Sequence, residues 1–248
     1  MNLNKIRYIH NKMEVKTMDI GEIISDSIKY PSSDWGKVLI LGVICIASIL
    51  IIPIFLVMGY VFRIIKATLA GIDELPEFDE IGAMFIDGLK IFVVGIVYSI
   101  PIWIIYGIML VLGLGMSATY GEYTAVSTAD FGLMAVMYLV LIIVAFIVGL
   151  FELMAIANMA YYDGELGAAF RFSEILEHIS RIGWGKYIVT LIVISIIGGI
   201  GYLIGWLTMF ILIGFILLPL VIMPYIMMFM YRAIALIFAS SLEGEATE

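Results

Sequence analysis

The stretch YIVTLIVISIIGGIGYLIGWLTMFILIGFILLPLVIMPYIMMFMY, residues 187–231, decides the fold. It runs 45 residues without a charged side chain. As a single helix it would extend roughly 67 Å at about 1.5 Å per residue, some two hydrocarbon cores of ~30 Å. That is too long for one crossing and fits a helical hairpin in lipid. Trp206 falls about twenty residues beyond Lys186, where the far interface is expected, and Gly205 and Thr208 beside it suit a tight turn.

The rest of the chain agrees. Apolar residues make up 63% of the sequence and mean hydropathy is +1.13, against about half apolar in soluble domains. The fold class expected is all-α: a polytopic membrane helix bundle of five to six hydrophobic helices. The net charge of −8 and the lack of a basic stripe exclude a nucleic-acid partner. The single cysteine, Cys45, lies in an apolar run and reads as a small hydrophobe, so no disulfide framework exists.

Residues 1–19 carry Lys5, Arg7, Lys12 and Lys16 without an apolar core, and read as a disordered basic extension rather than a signal peptide. Patterned sequence begins at Met18. Residues 20–245 read as one membrane domain and 246–248 as a tail. Within the domain, Ile20–Tyr30, 77–90 and Ala168–Ile182 each show an apolar stripe too short to span, and are expected to lie in the headgroup plane. Pro76 is placed to start the second of these helices. Apolar runs follow at 38–62, 91–112, 131–151 and 187–231.

These elements suggest three repeats, at 20–73, 77–165 and 168–245, each an amphipathic helix followed by an apolar hairpin. Trp35-Gly36-Lys37 recurs as Trp184-Gly185-Lys186, and Gly71-Ile72-Asp73-Glu74-Leu75 is echoed by Gly164-Glu165-Leu166. Lys and Arg cluster before residue 38, at 63–90 and at 171–186, while 113–130 and the Gly205 turn have none. Hairpins place all basic segments on one side, giving a multi-pass plasma-membrane protein with cytoplasmic termini. The first hairpin is the difficulty: 25 uncharged residues split in two give arms of roughly 18 Å, so 38–62 is either re-entrant or a single crossing.

Tyr30-Pro31, Trp35, Pro53, Gly59-Tyr60-x-x-Arg63, Gly71-x-x-Glu74-Leu75-Pro76-Glu77-Phe78 and Phe85-x-Asp87-Gly88-Leu89-Lys90 together resemble the membrane-protein family catalogued as domain of unknown function 4013. The resemblance covers most of the chain after Met18. It implies an archaeal plasma membrane and brings no assigned activity.

No catalytic, cofactor-binding or metal-binding motif is present, and no enzyme activity or cofactor is expected. Three ionisable residues sit inside apolar helices, each after an aromatic: Phe62-Arg63, Phe151-Glu152 and Tyr231-Arg232. Intramembrane charge is costly, by about 2.5 kcal/mol or more at the centre, so Arg63, Glu152 and Arg232 are candidates for a buried ionic cluster; the alternative is that they snorkel to the interface. If they meet, Glu152→Gln is the most damaging substitution. Glu174 with His178, and Glu177 with Arg181, are i,i+4 pairs along a solvated face rather than a hydrolytic site. Gly198, Gly201 and Gly205 share a helix face suited to close packing.

Three function classes remain: a non-enzymatic scaffold or partner-binding membrane protein, a small solute or ion transporter using the buried charges, and, last, a lipid-modifying enzyme. The expected partner is the lipid bilayer; a protein partner or a second copy is open.

Overall fold

The computed structural model describes residues 18–120, 128–211 and 213–243, with side chains for 18–112, 132–211 and 213–242. Residues 1–17 of the expected basic extension, the centre of the 113–130 loop and the 246–248 tail lie outside the described residues.

The regular elements among these residues are all helical. Helix α1 (Ile20–Lys29) is followed by a 3₁₀ turn, Tyr30–Ser33, then α2 (Trp35–Ala47), a second 3₁₀ turn at Ser48–Leu50, and α3 (Ile52–Leu69). Two long helices follow, α4 (Ile81–Tyr120) and α5 (Thr128–Tyr161). A 3₁₀ turn, Leu166–Phe170, leads to α6 (Phe172–Ile182) and α7 (Trp184–Thr208). A turn at Met209–Ile211, the short α8 (Gly214–Leu217), a π turn at Leu218–Ile222 and α9 (Met223–Glu243) complete the chain. Among the described residues five helices are long and apolar enough to cross a membrane, or six if α1 and α2, bent by 82°, count as one span. The protein is a multi-pass helical membrane protein.

Local chemistry sets the ends. Asp19 caps α1 through a reciprocal box: its carboxylate accepts from the Glu22 amide at 2.8 Å, and Glu22 accepts from the Asp19 amide at 3.0 Å. Asp34 caps α2 by accepting from the Lys37 amide at 3.2 Å. Gly71, at φ 71°, closes α3, and the Ile72 amide returns to the Ala67 carbonyl at 2.9 Å. Gly164, at φ 86°, follows α5, its amide reaching back to the Met159 carbonyl at 2.8 Å.

Four expectations change. Segment 77–90 is not a separate interfacial helix: 77–80 is non-helical and α4 runs unbroken from Ile81 through residue 90. Pro76 does not start that helix: side chains from α3 bond the carbonyls of Pro76, Glu77, Asp79 and Glu80. Helix covers 113–120 and 128–130 of the expected loop. The last hairpin does not turn at Gly205–Thr208: α7 continues to Thr208, whose hydroxyl folds back onto the Gly205 carbonyl at 2.6 Å, and the 3₁₀ turn Met209–Ile211 follows it.

The chain forms two compact units: residues up to Phe92 with those from Met154 onward, and Val93–Leu153. The core of the first is Tyr30, Val38, Leu41, Val57, Tyr60, Ile64, Leu75, Met84 and Met228, all at or below 5% exposure. Helix α6 adds Ile175, Ile179 and Ile182, while Phe172 and Leu176 of its expected stripe stay exposed. The second unit consists of apolar parts of α4 and α5 with most large side chains exposed, the condition of a lipid-facing surface.

Candidate functional site

The polar side chains of the first unit gather in one layer around Ile72–Glu80, a non-helical strap. Three cations from three helices hold it. Arg232 of α9 donates through Nε to Asp26 at 2.8 Å, through Nη2 to Asp73 at 2.6 Å, and through Nη1 to the Ile72 carbonyl at 3.1 Å and Thr68 Oγ1 at 3.2 Å. Its guanidinium lies 4.6 Å from the centre of the Tyr30 ring. Lys37 of α2 donates to the Leu75 carbonyl at 2.7 Å and to Glu77 at 2.8 Å. Arg63 of α3 donates to the Asp79 carbonyl at 2.7 Å, the Asp79 carboxylate at 3.0 Å and the Glu80 carbonyl at 3.1 Å.

Two tyrosines finish the hold. Tyr30 donates to the Glu74 carbonyl and Tyr60 to the Pro76 carbonyl, both at 3.1 Å. The Tyr60 ring stacks on Phe78 at 4.1 Å and Leu75 is buried between the helices. Side chains from the helices thus satisfy carbonyls of the strap that no secondary structure pairs. Its carboxylates stay in water: Asp73, Glu77, Asp79 and Glu80 have side chains 85%, 73%, 72% and 76% exposed. The strap's acidic side chains are solvated while its carbonyls are clamped.

The same layer contains the other basic segments. Lys66 pairs with Asp163 at 3.1 Å, and Lys186 donates to the Met18 carbonyl at 2.9 Å. Lys90 pairs with Asp87 at 3.3 Å. Tyr162, just past α5, is pushed up to about 12 by burial and by its hydrogen bond to Glu174, so it stays protonated at neutral pH.

Of the expected cluster, Arg63 and Arg232 bind different carboxylates of the strap. Glu152 belongs to the second unit, half-buried, where a β-carbon added at Gly95 would lie 3.4 Å from its Oε1. The acidic partners of the two arginines are Asp26 and Asp73 for Arg232, and Asp79 and Glu80 for Arg63. Sequence reading missed them, although one signal was available: Asp73 and Asp79 lie in the acidic segment next to the arginine-bearing helix.

His178 was assigned to the solvated side of α6, yet it is 5% exposed. Its Nδ1 is 2.9 Å from Ser241 Oγ, and Glu174 is 4.0 Å from Nε2. The Ser241 hydroxyl lies 2.6 Å from the Phe238 carbonyl, so its proton must sit between those oxygens. The serine then accepts from His178, the opposite of what a nucleophile needs from its base, and Ser241 has no exposed surface. This trio joins α6 to α9. Glu177 and Arg181 pair at 2.7 Å on the outer face.

The glycine face packs α7 against α9. A β-carbon on Gly201 would come 2.8 Å from Ile226 Cδ1, one on Gly198 would come 3.3 Å from Met230 Sδ, and one on Gly205 would collide with Leu218. Gly199 on the same helix faces open space. Gly201→Leu is expected to cost about 1–3 kcal/mol by overpacking while Gly199→Leu stays near parent stability; thermal melts of the two in detergent check this.

Beside the strap lies an open cleft of about 630 Å³, walled by Asp19, Glu22, Asp26, Tyr30, Asp73 and Arg232. No group of His, Cys, Asp and Glu among the described residues has metal-ligand geometry. No curated protein and no solved structure is detectably similar to the chain. A family model does match, over residues 43–210, which takes in the Gly59-Tyr60-x-x-Arg63 helix, the Glu74-Leu75-Pro76 strap and the Asp87-Gly88 segment that the geometry ties together. This chain belongs to the DUF4013 family of proteins of unknown function.

Proposed function

We propose that the protein is a non-enzymatic membrane scaffold that presents a rigid polar layer to a partner. The observation that carries this reading is how its two arginines within spans are used. Arg63 donates to the Asp79 carboxylate and the Glu80 carbonyl, and Arg232 to Asp73 and the Ile72 carbonyl, so both are engaged as clamps on the strap. The exposed carboxylates of the strap give the presented surface its negative character. The basic residues in the same layer favour a cytoplasmic orientation for that layer and for both chain ends in the plasma membrane.

The second reading, a transporter, draws support from the cleft at Arg232. Proteoliposomes separate the two. The scaffold reading expects proton and anion fluxes equal to those of empty vesicles, for the parent and for Arg63→Gln alike. A protein-dependent flux abolished by Arg63→Gln, with the melting temperature retained, would establish transport.

A further inference from the structure

Helices α2 and α3 form a hairpin whose two feet stand in the same polar layer. Lys37, at the start of α2, bonds Leu75 and Glu77, just beyond the end of α3. The arms are short. From Lys37 to Leu50 the chain rises roughly 22 Å, counting the 3₁₀ turn at about 2 Å per residue. Helix α3 has 18 residues and passes as a span by length and composition. Its C-terminal part from Arg63 on, however, carries Arg63 and Lys66 in the polar layer, leaving Ile52–Phe62 as the apolar part, about 16 Å long. A hydrocarbon core is about 30 Å thick.

The tip has the chemistry of a lipid contact. Ile49, Leu50, Ile51 and Ile52 are 86%, 74%, 71% and 66% exposed. Ile51 turns the chain at φ 65°, a conformation that a turn in water ordinarily gives to Gly or Asn and that strains a β-branched residue. The tip also hides its backbone. The Ile51 amide bonds the Ser48 carbonyl at 2.9 Å, the Ile54 amide bonds the Ile51 carbonyl at 3.0 Å, and the Ser48 hydroxyl bonds the Ile44 carbonyl at 2.9 Å. Pro53 removes a donor that would otherwise face the apolar surroundings. Backbone can turn in hydrocarbon only when its polar groups are satisfied in this way.

We infer that this hairpin is re-entrant: Ser48–Ile52 ends inside the hydrocarbon, covered by lipid acyl chains, and α2–α3 contributes no crossing. The inference goes beyond the scaffold reading and holds whichever compartment the polar layer faces.

The test uses the full chain with Cys45→Ser, carrying Leu50→Cys or Ile49→Cys, each spin-labelled and reconstituted in phosphatidylcholine–phosphatidylglycerol vesicles. Glu74→Cys, whose side chain is exposed on the strap, is the aqueous reference. Both tip positions are already exposed, so the label displaces no packing, and two variants guard against the loss of either. The expected result is collision with oxygen but not with a water-soluble nickel chelate. The oxygen-to-nickel ratio should be at least about tenfold above that at Glu74→Cys, because a polar chelate is excluded from hydrocarbon. Nickel access comparable to Glu74→Cys would place the tip in water across the membrane and overturn the inference. Shielding from both reagents would also overturn it, by showing that protein, including a second copy, covers the tip.

Discussion

Arg232→Gln should lower the unfolding free energy by about 3 kcal/mol, at the lower edge of the ~3–5 kcal/mol cost of breaking a buried ion pair. Asp73→Asn should cost under about 1 kcal/mol, as exposed partners do. The asymmetry follows from where each charge goes when its partner is lost. Arg232 is 3% exposed, held by Asp26, Asp73, Thr68 and the Ile72 carbonyl. The Asp73 side chain is 85% exposed and is hydrated once freed. Shortening the arginine removes every one of its bonds and the Tyr30 contact at once; neutralising Asp73 leaves Arg232 with Asp26. Thermal unfolding in detergent, with Arg232→Lys as an intermediate variant, measures both. Equal stability of Arg232→Gln and Asp73→Asn would show that the clamp does not hold the strap.

Gly59→Ala and Gly88→Ala should each destabilise by about 3 kcal/mol, the upper end of ordinary overpacking costs. A β-carbon on Gly59 would collide with the Met84 carbonyl, and one on Gly88 with the Phe55 carbonyl. The two glycines thus mark a reciprocal close approach of α3 and α4. Both obstacles are backbone atoms of helices, so no side chain can rotate away. Gly82 gives the control on the same helix: nothing lies within 4 Å of its added β-carbon. Gly82→Ala should be stabilising by up to ~1 kcal/mol through helix propensity. A melting series over the three alanine variants decides the matter; a Gly59→Ala protein as stable as Gly82→Ala would mean that the helices are not in backbone contact there. The double variant Gly59→Ala/Gly88→Ala should cost less than the sum of the singles, because the sites share one interface.

The arrangement of these effects explains why the motifs that suggested the family stand together. Gly59, Tyr60 and Arg63 lie on one helix and perform three tasks: approach to α4, a hydrogen bond and ring stack on the strap, and the arginine clamp. Glu74-Leu75-Pro76 supplies the carbonyls and the buried leucine that those groups hold. Gly88 is the reciprocal glycine.

The sequence by itself determined the environment and the class. Long uncharged runs cannot be soluble, and hydrocarbon admits only structures that pair every backbone group, so a helical membrane bundle follows from composition and run length. It also marked Arg63, Glu152 and Arg232 as charges in need of an account, and Gly198, Gly201 and Gly205 as a packing face. Three matters were left to the tertiary structure. Partner identity was one: Asp26 is far from Arg232 in the chain, and no local spacing could pair them. The burial of His178 was another, because a helical wheel places it among polar residues while α9 arrives from a distant part of the chain to cover it. The third was where helices end. The amphipathic pattern at 77–90 reads as its own helix, but helix ends respond to competition for backbone hydrogen bonds. Tyr60 and Arg63 bond the carbonyls of Pro76, Glu77, Asp79 and Glu80, and the first amide bond of α4 runs from Met84 back to Glu80.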